Sequence, residues 1–314
     1  MATTNSPFPR WKQLIAQGIK DGMADKQKGV LYFALSTVET GQAEANTASN
    51  PKGVKTSGSS FPAPHVRMVV HRGFVNEQRS SSSPTGVESF NPSFGSNACL
   101  MTTTDIRAPK AQDILAQSQA KGGASSTQSR GARGEICWWM EHKQLQFRIA
   151  GTLHLIPRKD HPAFSTFDGK RLAPPINSEQ SAPAGEFDWV NERKRIFEKM
   201  SPELLASFTR PMPGSAHPKQ SQLNDTKGPG EGEVEDSKGD KESPWPMQLP
   251  QPGKEENDEQ KQLLAEAEKN FALIVVEPET IDVVDLSRDR RSLFTRTNDS
   301  KGPNSEWREE RLVP

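Results

Sequence analysis

Apolar residues recur at helical spacing near the start of the chain, where Trp11, Leu14, Ile15, Ile19 and Met23 follow Pro7 and Pro9. That spacing predicts an amphipathic helix with prolines just ahead of it. The pattern then changes. Residues 30–38 are β-branched and aromatic and close on Thr40-Gly41, which predicts a strand. Further strands are predicted over 66–75, 98–103, 135–141 and 144–156, with His142-Lys143 fitting a two-residue hairpin connection. Residues 110–119 are helix-like. Residues 187–200 are expected to set Trp189, Val190, Ile196 and Phe197 on one helical face. Ser201-Pro202-Glu203 restarts a helix, with Ser as N-cap, Pro in the first turn, and Leu204, Leu205 and Phe208 facing inward. Residues 259–270 are helix-prone and lead into three strand-like runs, 271–276, 280–286 and 292–297.

Between these elements lie four polar stretches, 41–64, 76–97, 121–134 and 212–258, dominated by Ser, Gly, Pro and charged residues. Only 32% of the 314 residues are hydrophobic, while Gly and Pro occupy 23 and 25 positions, so the chain cannot bury all of itself. The expectation is one domain over 1–314 with those four stretches as disordered insertions. Seven or eight short strands with few helices predict a mainly β (α+β) class, a small antiparallel barrel with peripheral helices. Long loops between strands are compatible with it because closure entropy grows slowly with length.

Lys plus Arg and Asp plus Glu are both 40, and this balance argues against a nucleic-acid-type surface. Cys99 and Cys137 are too few for a disulfide framework and lack metal-ligand spacing. No apolar run approaches the ~20 residues that span a bilayer, and no signal pattern opens the chain. These features predict a cytoplasmic protein without a membrane or nucleic-acid partner and without a metal.

Candidate chemistry concentrates in four segments. In 65–74, Arg67, Val69 and His71 share one strand face and Met68, Val70 and Arg72 the other. An arginine inside an apolar strand calls for an anion or a carboxylate partner. In 102–112, a strand end with hydroxyls turns into a helix close to Arg107 and Lys110, a combination suited to a phosphate. In 145–152, Gln146 and Arg148 alternate with apolar residues, and a charged ending, Trp307 to Pro314, closes the chain. The histidines are scattered, no nucleophile–base set can be assembled, and Cys137 in an apolar run reads as a buried inert thiol.

Taken in order, Arg67-Met68-Val69-Val70-His71-Arg72-Gly73-Phe74, Thr104-Asp105-Ile106-Arg107-Ala108-Pro109-Lys110, the 135–139 strand, the 146–151 segment and the Trp307…Arg311-Leu312-Val313-Pro314 ending resemble the pyridoxamine 5'-phosphate oxidase-like family. The resemblance implies an FMN-binding split β-barrel working as a homodimer with FMN at the subunit interface. It places flavin contacts on Arg67, Met68, Val69, Val70 and Arg72, on Thr103 and Thr104, on Arg107 and Lys110 at the phosphate, and on Gln146 from the partner subunit. The implied function is an FMN-dependent oxidoreductase of unassigned substrate, with no catalytic residue assigned. The alternative is a non-catalytic flavin-binding or interaction protein on the same fold.

The substrate segment departs from the family. Its tyrosine, arginine and serine fall on Ile196, Met200 and Leu204, and its late histidine has only Ser292 as counterpart. Charged hydrogen bonds are worth ~1.5–3 kcal/mol each, so losing them predicts a poor site for pyridoxamine phosphate.

Overall fold

The computed structural model describes residues 9–27, 29–39, 62–80, 83, 86–120, 131–177, 185–216, 245–297 and 306–314. The first half contains helix α1 (Arg10–Ala24), strands β1 (Tyr32–Glu39), β2 (Ala63–Val70), β3 (Glu77–Arg79), β4 (Val87–Ser89) and β5 (Leu100–Asp105), helix α2 (Pro109–Ala120) and strands β6 (Ala132–Met140) and β7 (Leu145–Ile156). The second half contributes helices α3 (Gly169–Leu172), α4 (Trp189–Phe197), α5 (Pro202–Ser207) and α6 (Asp258–Asn270). Strands β8 (Phe271–Asp285), β9 (Arg290–Arg296) and β10 (Trp307–Leu312) complete it. Ser201 caps α5 through its side chain, as its position before Pro202 predicts.

One antiparallel sheet runs β10-β9-β8-β7-β6-β1-β2, and β5 pairs with β8. The sheet curls back on itself. Past the end of β2, Arg72 N donates to Met101 O at 2.8 Å and Met101 N donates to Gly73 O at 2.9 Å, tying that segment to β5. Fold class and α+β content therefore agree with the sequence reading, and the barrel is split rather than continuously laddered.

Two cores explain two sequence patterns. Inside the barrel, Trp11 and Ile15 of α1 pack with Phe33, Leu35, Ile136, Trp138 and Phe147. A second cluster sets Leu172, Trp189, Ile196 and Phe197 against Phe271, Leu273 and Val275. The first half of β8 is thus buried on both faces, which is why 271–276 reads as an unbroken apolar run.

Several expectations need correction. The runs 271–276 and 280–286 fall on one strand, Phe271–Asp285, not two, because Pro278 lies opposite Gly151 at a register shift that removes the need for its missing donor. A Cβ at Gly151 would lie 2.1 Å from Glu277 O, so only glycine permits that approach. The β6–β7 connection has four residues, a turn over Glu141–Lys143 closed by Gln144 at φ 51°, and not the two of His142-Lys143. Met23, Val190 and Leu204 are exposed rather than inward, and so is Cys137. The charged ending is the edge strand β10, and Trp307 packs edge-on against Trp11 at 5.3 Å.

The stretch 76–97 is largely ordered, with β3 and β4 paired as a hairpin. Polar bonds rather than apolar area hold it. Asn76, wholly buried, donates to Asn91 O, Phe94 O and Gly95 O at 3.0, 2.8 and 2.9 Å. Lys12 pairs with Glu77 at 2.7 Å and donates to Asn97 O. Composition registers none of this. The segments 41–61, 121–130 and 217–244, expected to be disordered, lie outside the described residues.

Glu277 ties the two layers together. Its buried carboxylate accepts from Arg171 of α3 at 2.5 Å, Arg296 of β9 at 2.6 Å and His154 of β7 at 3.0 Å. Burial would push this carboxyl up, but Arg171 and His154 hold it well below the usual carboxylate range. Glu277→Gln leaves buried cations short of a partner and is expected to cost ~3–5 kcal/mol in urea unfolding at neutral pH. In the native protein the contribution is complete above the unfolded carboxyl value of 4.5 and is lost as pH falls below it. A change under ~1 kcal/mol, the range of exposed pairs, would mean the network does not support folding.

Candidate functional site

β2 alternates as its sequence suggests. Val66 and Met68 point outward, 71% and 63% exposed, while Val69 and His71 are buried on the inner side. On its β1 edge the strand is paired through all eight positions. Towards β5, the bonds among described residues begin only at Arg72 and continue through Val75 N to Cys99 O. Over Arg67–Val70 the strand therefore parts from β5, and this opening is the split.

Arg67 stands at its start. The guanidinium donates to Thr37 Oγ1 at 2.6 Å and to His65 O at 3.2 Å, and the Thr37 hydroxyl donates to Asp113 Oδ2 at 2.6 Å. The Asp113 carboxylate itself lies 3.8 Å from Arg67. The partner that the sequence called for is thus a carboxylate, supplied by α2. Thr37 and Asp113 were not foreseen, because one acid on an amphipathic helix carries no signal that separates it from a solvated one.

Lys110 enters from the first turn of α2, half-buried, with no hydrogen-bond or ion-pair partner among the described residues. Burial lowers its pKa, and the charge of Arg67 lowers it further against the opposing charge of Asp105. Two cations held near each other, one without an ion pair among the described residues, fit an anion that would relieve both.

Arg107 is placed differently. Its fork grips Asp105 at 3.0 and 2.7 Å, and Nη2 also donates to Phe208 O and Arg210 O. It braces the β5–α2 turn against the segment after α5. Thr104 is buried and donates to Asp105 O, whereas Thr103 is half-buried. Gln146 pairs with Trp139 on the outward face, with β6 and β1 between it and β2, so it is not brought to Arg67 within one chain.

Beyond Arg72 lies a cavity of about 540 Å³ between α1, the β3–β4 hairpin and the end of α4. Its apolar floor is Ile19, Met23, Leu31, Phe74, Ile196 and Met200. Ile196 and Met200 offer no hydrogen-bond donor from their side chains, as the departures in the sequence imply.

Comparison with known proteins agrees with the motifs. Residues 8–157 match the family model described as the pyridoxamine 5'-phosphate oxidase, FMN-binding domain, and FMN is the cofactor of that domain. A pyridoxamine 5'-phosphate oxidase-related, FMN binding protein from Nostoc punctiforme shares the fold at 18% identity, with a TM-score of 0.50 and 98% of each chain covered. PhzG from Burkholderia lata aligns over 100% of both chains at 10% identity and a TM-score of 0.38. No curated protein matches. Among the described residues no helix is long and apolar enough to cross a membrane, and no group of three or more His, Cys, Asp or Glu could hold a metal ion.

The geometry separates Arg107 from the phosphate candidates. Arg107→Ala should lower the melting temperature yet leave FMN affinity within about threefold, a difference of under ~1 kcal/mol. A loss of a hundredfold or more in a folded variant would return Arg107 to the phosphate itself.

Proposed function

We propose that the chain is an FMN-dependent oxidoreductase, working as a homodimer in the cytoplasm, with the FMN phosphate at Arg67 and Lys110. The observation that carries this reading is the pair of half-buried cations at the mouth of the split, Lys110 having no ion pair among the described residues. Arg67 is pre-oriented through Thr37 and Asp113, so little order is lost when an anion arrives. From Arg67 to Arg72 the strand runs ~16 Å at ~3.3 Å per residue, and the main chain of Met68, Val69 and Val70 would border the ring along it. Thr103 would face the same opening, with Thr104 and Arg107 holding the turn behind it. Bound FMN supplies hydride chemistry, while the protein sets its position and electronics.

An apolar outward face supports the dimer. Tyr32, Val66, Met68 and Trp139 are exposed on β1, β2 and β6 as neighbours in the sheet. Such a face suits self-complementary pairing. Gln146 lies on it beside Trp139, so a second copy could bring this amide to the flavin edge of the first. Two free cysteines are consistent with a reducing compartment.

Four outcomes test the reading. Lys110→Gln should weaken FMN binding roughly 10–100-fold, the worth of one charged hydrogen bond at ~1.5–3 kcal/mol. Because the Lys110 pKa lies below 10.5 in the free protein, FMN affinity should fall as pH rises towards that value, and Lys110→Gln should flatten the profile. Unchanged affinity in the variant would refute the assignment. Sedimentation should show a dimer that Met68→Glu converts to a monomer, and a wild-type monomer with flavin bound would refute the shared interface. Pyridoxamine phosphate should be oxidised with kcat/KM below ~10⁴ M⁻¹s⁻¹, the lower end of ordinary enzymes.

A further inference from the structure

The cavity beyond Arg72 carries a second charge pattern, in which Arg79 stands outside the flavin contacts that the motifs imply. Arg72 and Arg79 both line it, and neither has an ion pair among the described residues. Arg72 Nε is buried without a hydrogen-bond partner. Burial lowers the pKa of Arg72, and the charge of Arg79 adds to that effect against the opposing influence of Tyr32. Of the other charges on the wall, Glu77 and Arg195 are committed to ion pairs, while Lys20 and Lys199 add to its positive character. Glu77 is paired with Lys12, Arg195 is gripped by Glu192 at 2.9 and 2.6 Å, and Lys199 reaches Gln78 at 3.5 Å.

His71 gives an independent pointer. The residue lines the cavity, its ring is 3% exposed, and its buried Nδ1 has no hydrogen-bond partner among the described residues. Burial and nearby cations push its pKa down to about 3, so it is a neutral imidazole able to hydrogen-bond a ligand without adding charge.

We infer that this cavity takes a small monocarboxylate with an apolar body, its carboxylate between the guanidinium groups of Arg79 and Arg72 and its body on Phe74, Ile196 and Met200. The inference rests on the flavin reading only in making this ligand the substrate presented to the flavin. A carboxylate fits better than a phosphate ester for two reasons. Planar guanidinium forks match a carboxylate, and among the described residues Ser80 is the only hydroxyl side chain lining the cavity. Arg195 and Ile196 also bring the C-terminal end of α4, with its partial negative charge, to the wall, which opposes a dianion more than a monoanion.

Arg79 sits on the β3–β4 hairpin, outside the FMN contacts, so it separates the two readings. Calorimetric titration of the full FMN-loaded chain with phenylacetate, phenylacetamide and phenyl phosphate tests the inference. Phenylacetate should bind at least about tenfold tighter than the amide, and Arg79→Ala should remove about tenfold, with Arg79→Lys recovering part. Flavin content of Arg79→Ala, read from visible absorbance, should equal wild type. Equal binding of acid and amide, tighter binding of phenyl phosphate, or no binding in the millimolar range would overturn the carboxylate site. If the purified chain holds no flavin, the flavin reading fails, while the same titration on the flavin-free protein still decides the cavity.

Discussion

One strand with two unequal edges organises this protein. β2 is laddered to β1 along its whole length, yet on its other side the chain meets β5 only from Arg72 onward. A strand paired on both edges would have closed the barrel. Arg67 stands where β2 parts from β5, near enough to Lys110 for the two charges to interact, and Arg72 and Gly73 complete the wall further along. Fold and site are therefore the same constraint seen at two ends of a strand.

Polar contacts, more than apolar area, decide which long connections are ordered. Asn76 satisfies three carbonyls, and its own N–H donates to Glu192 at 3.0 Å, which joins the hairpin to α4. Lys12 reaches the same stretch from α1, and its Nζ also lies 4.4 Å from the Phe74 ring centroid. Buried charges of this kind are retained only when each finds several partners. The cavity wall that carries Arg79 is held in place by these bonds.

Much of this was legible before any coordinates. The 3.6 and 2.0 periodicities located α1, β1, β6 and β7 to within a few residues, and the order of motifs from Arg67 to Lys110 pointed to the matched domain. What escaped the sequence was relational. Asp113 and Thr37 acquire meaning only because β1, β2 and α2 converge, and Pro278 looks like a strand breaker until Gly151 is seen opposite it. Arg107 matches the motif, but its fork is committed to Asp105 two residues away, a choice of rotamer that residue type does not reveal. The hairpin at 77–89 was hidden because composition counts apolar residues and not hydrogen-bond partners.

The central claim is that Arg67 and Lys110 at the split hold the phosphate of FMN. Phosphorus NMR of the FMN-loaded protein tests it most directly. A free phosphate monoester takes up its second proton near pH ~6. Held between a guanidinium and an ammonium, it should stay dianionic, with a resonance independent of pH from weakly acidic to neutral solution. In Lys110→Gln the titration should return towards the free range. A bound phosphate that titrates like free FMN in the wild-type protein would place the group in solvent and contradict the account.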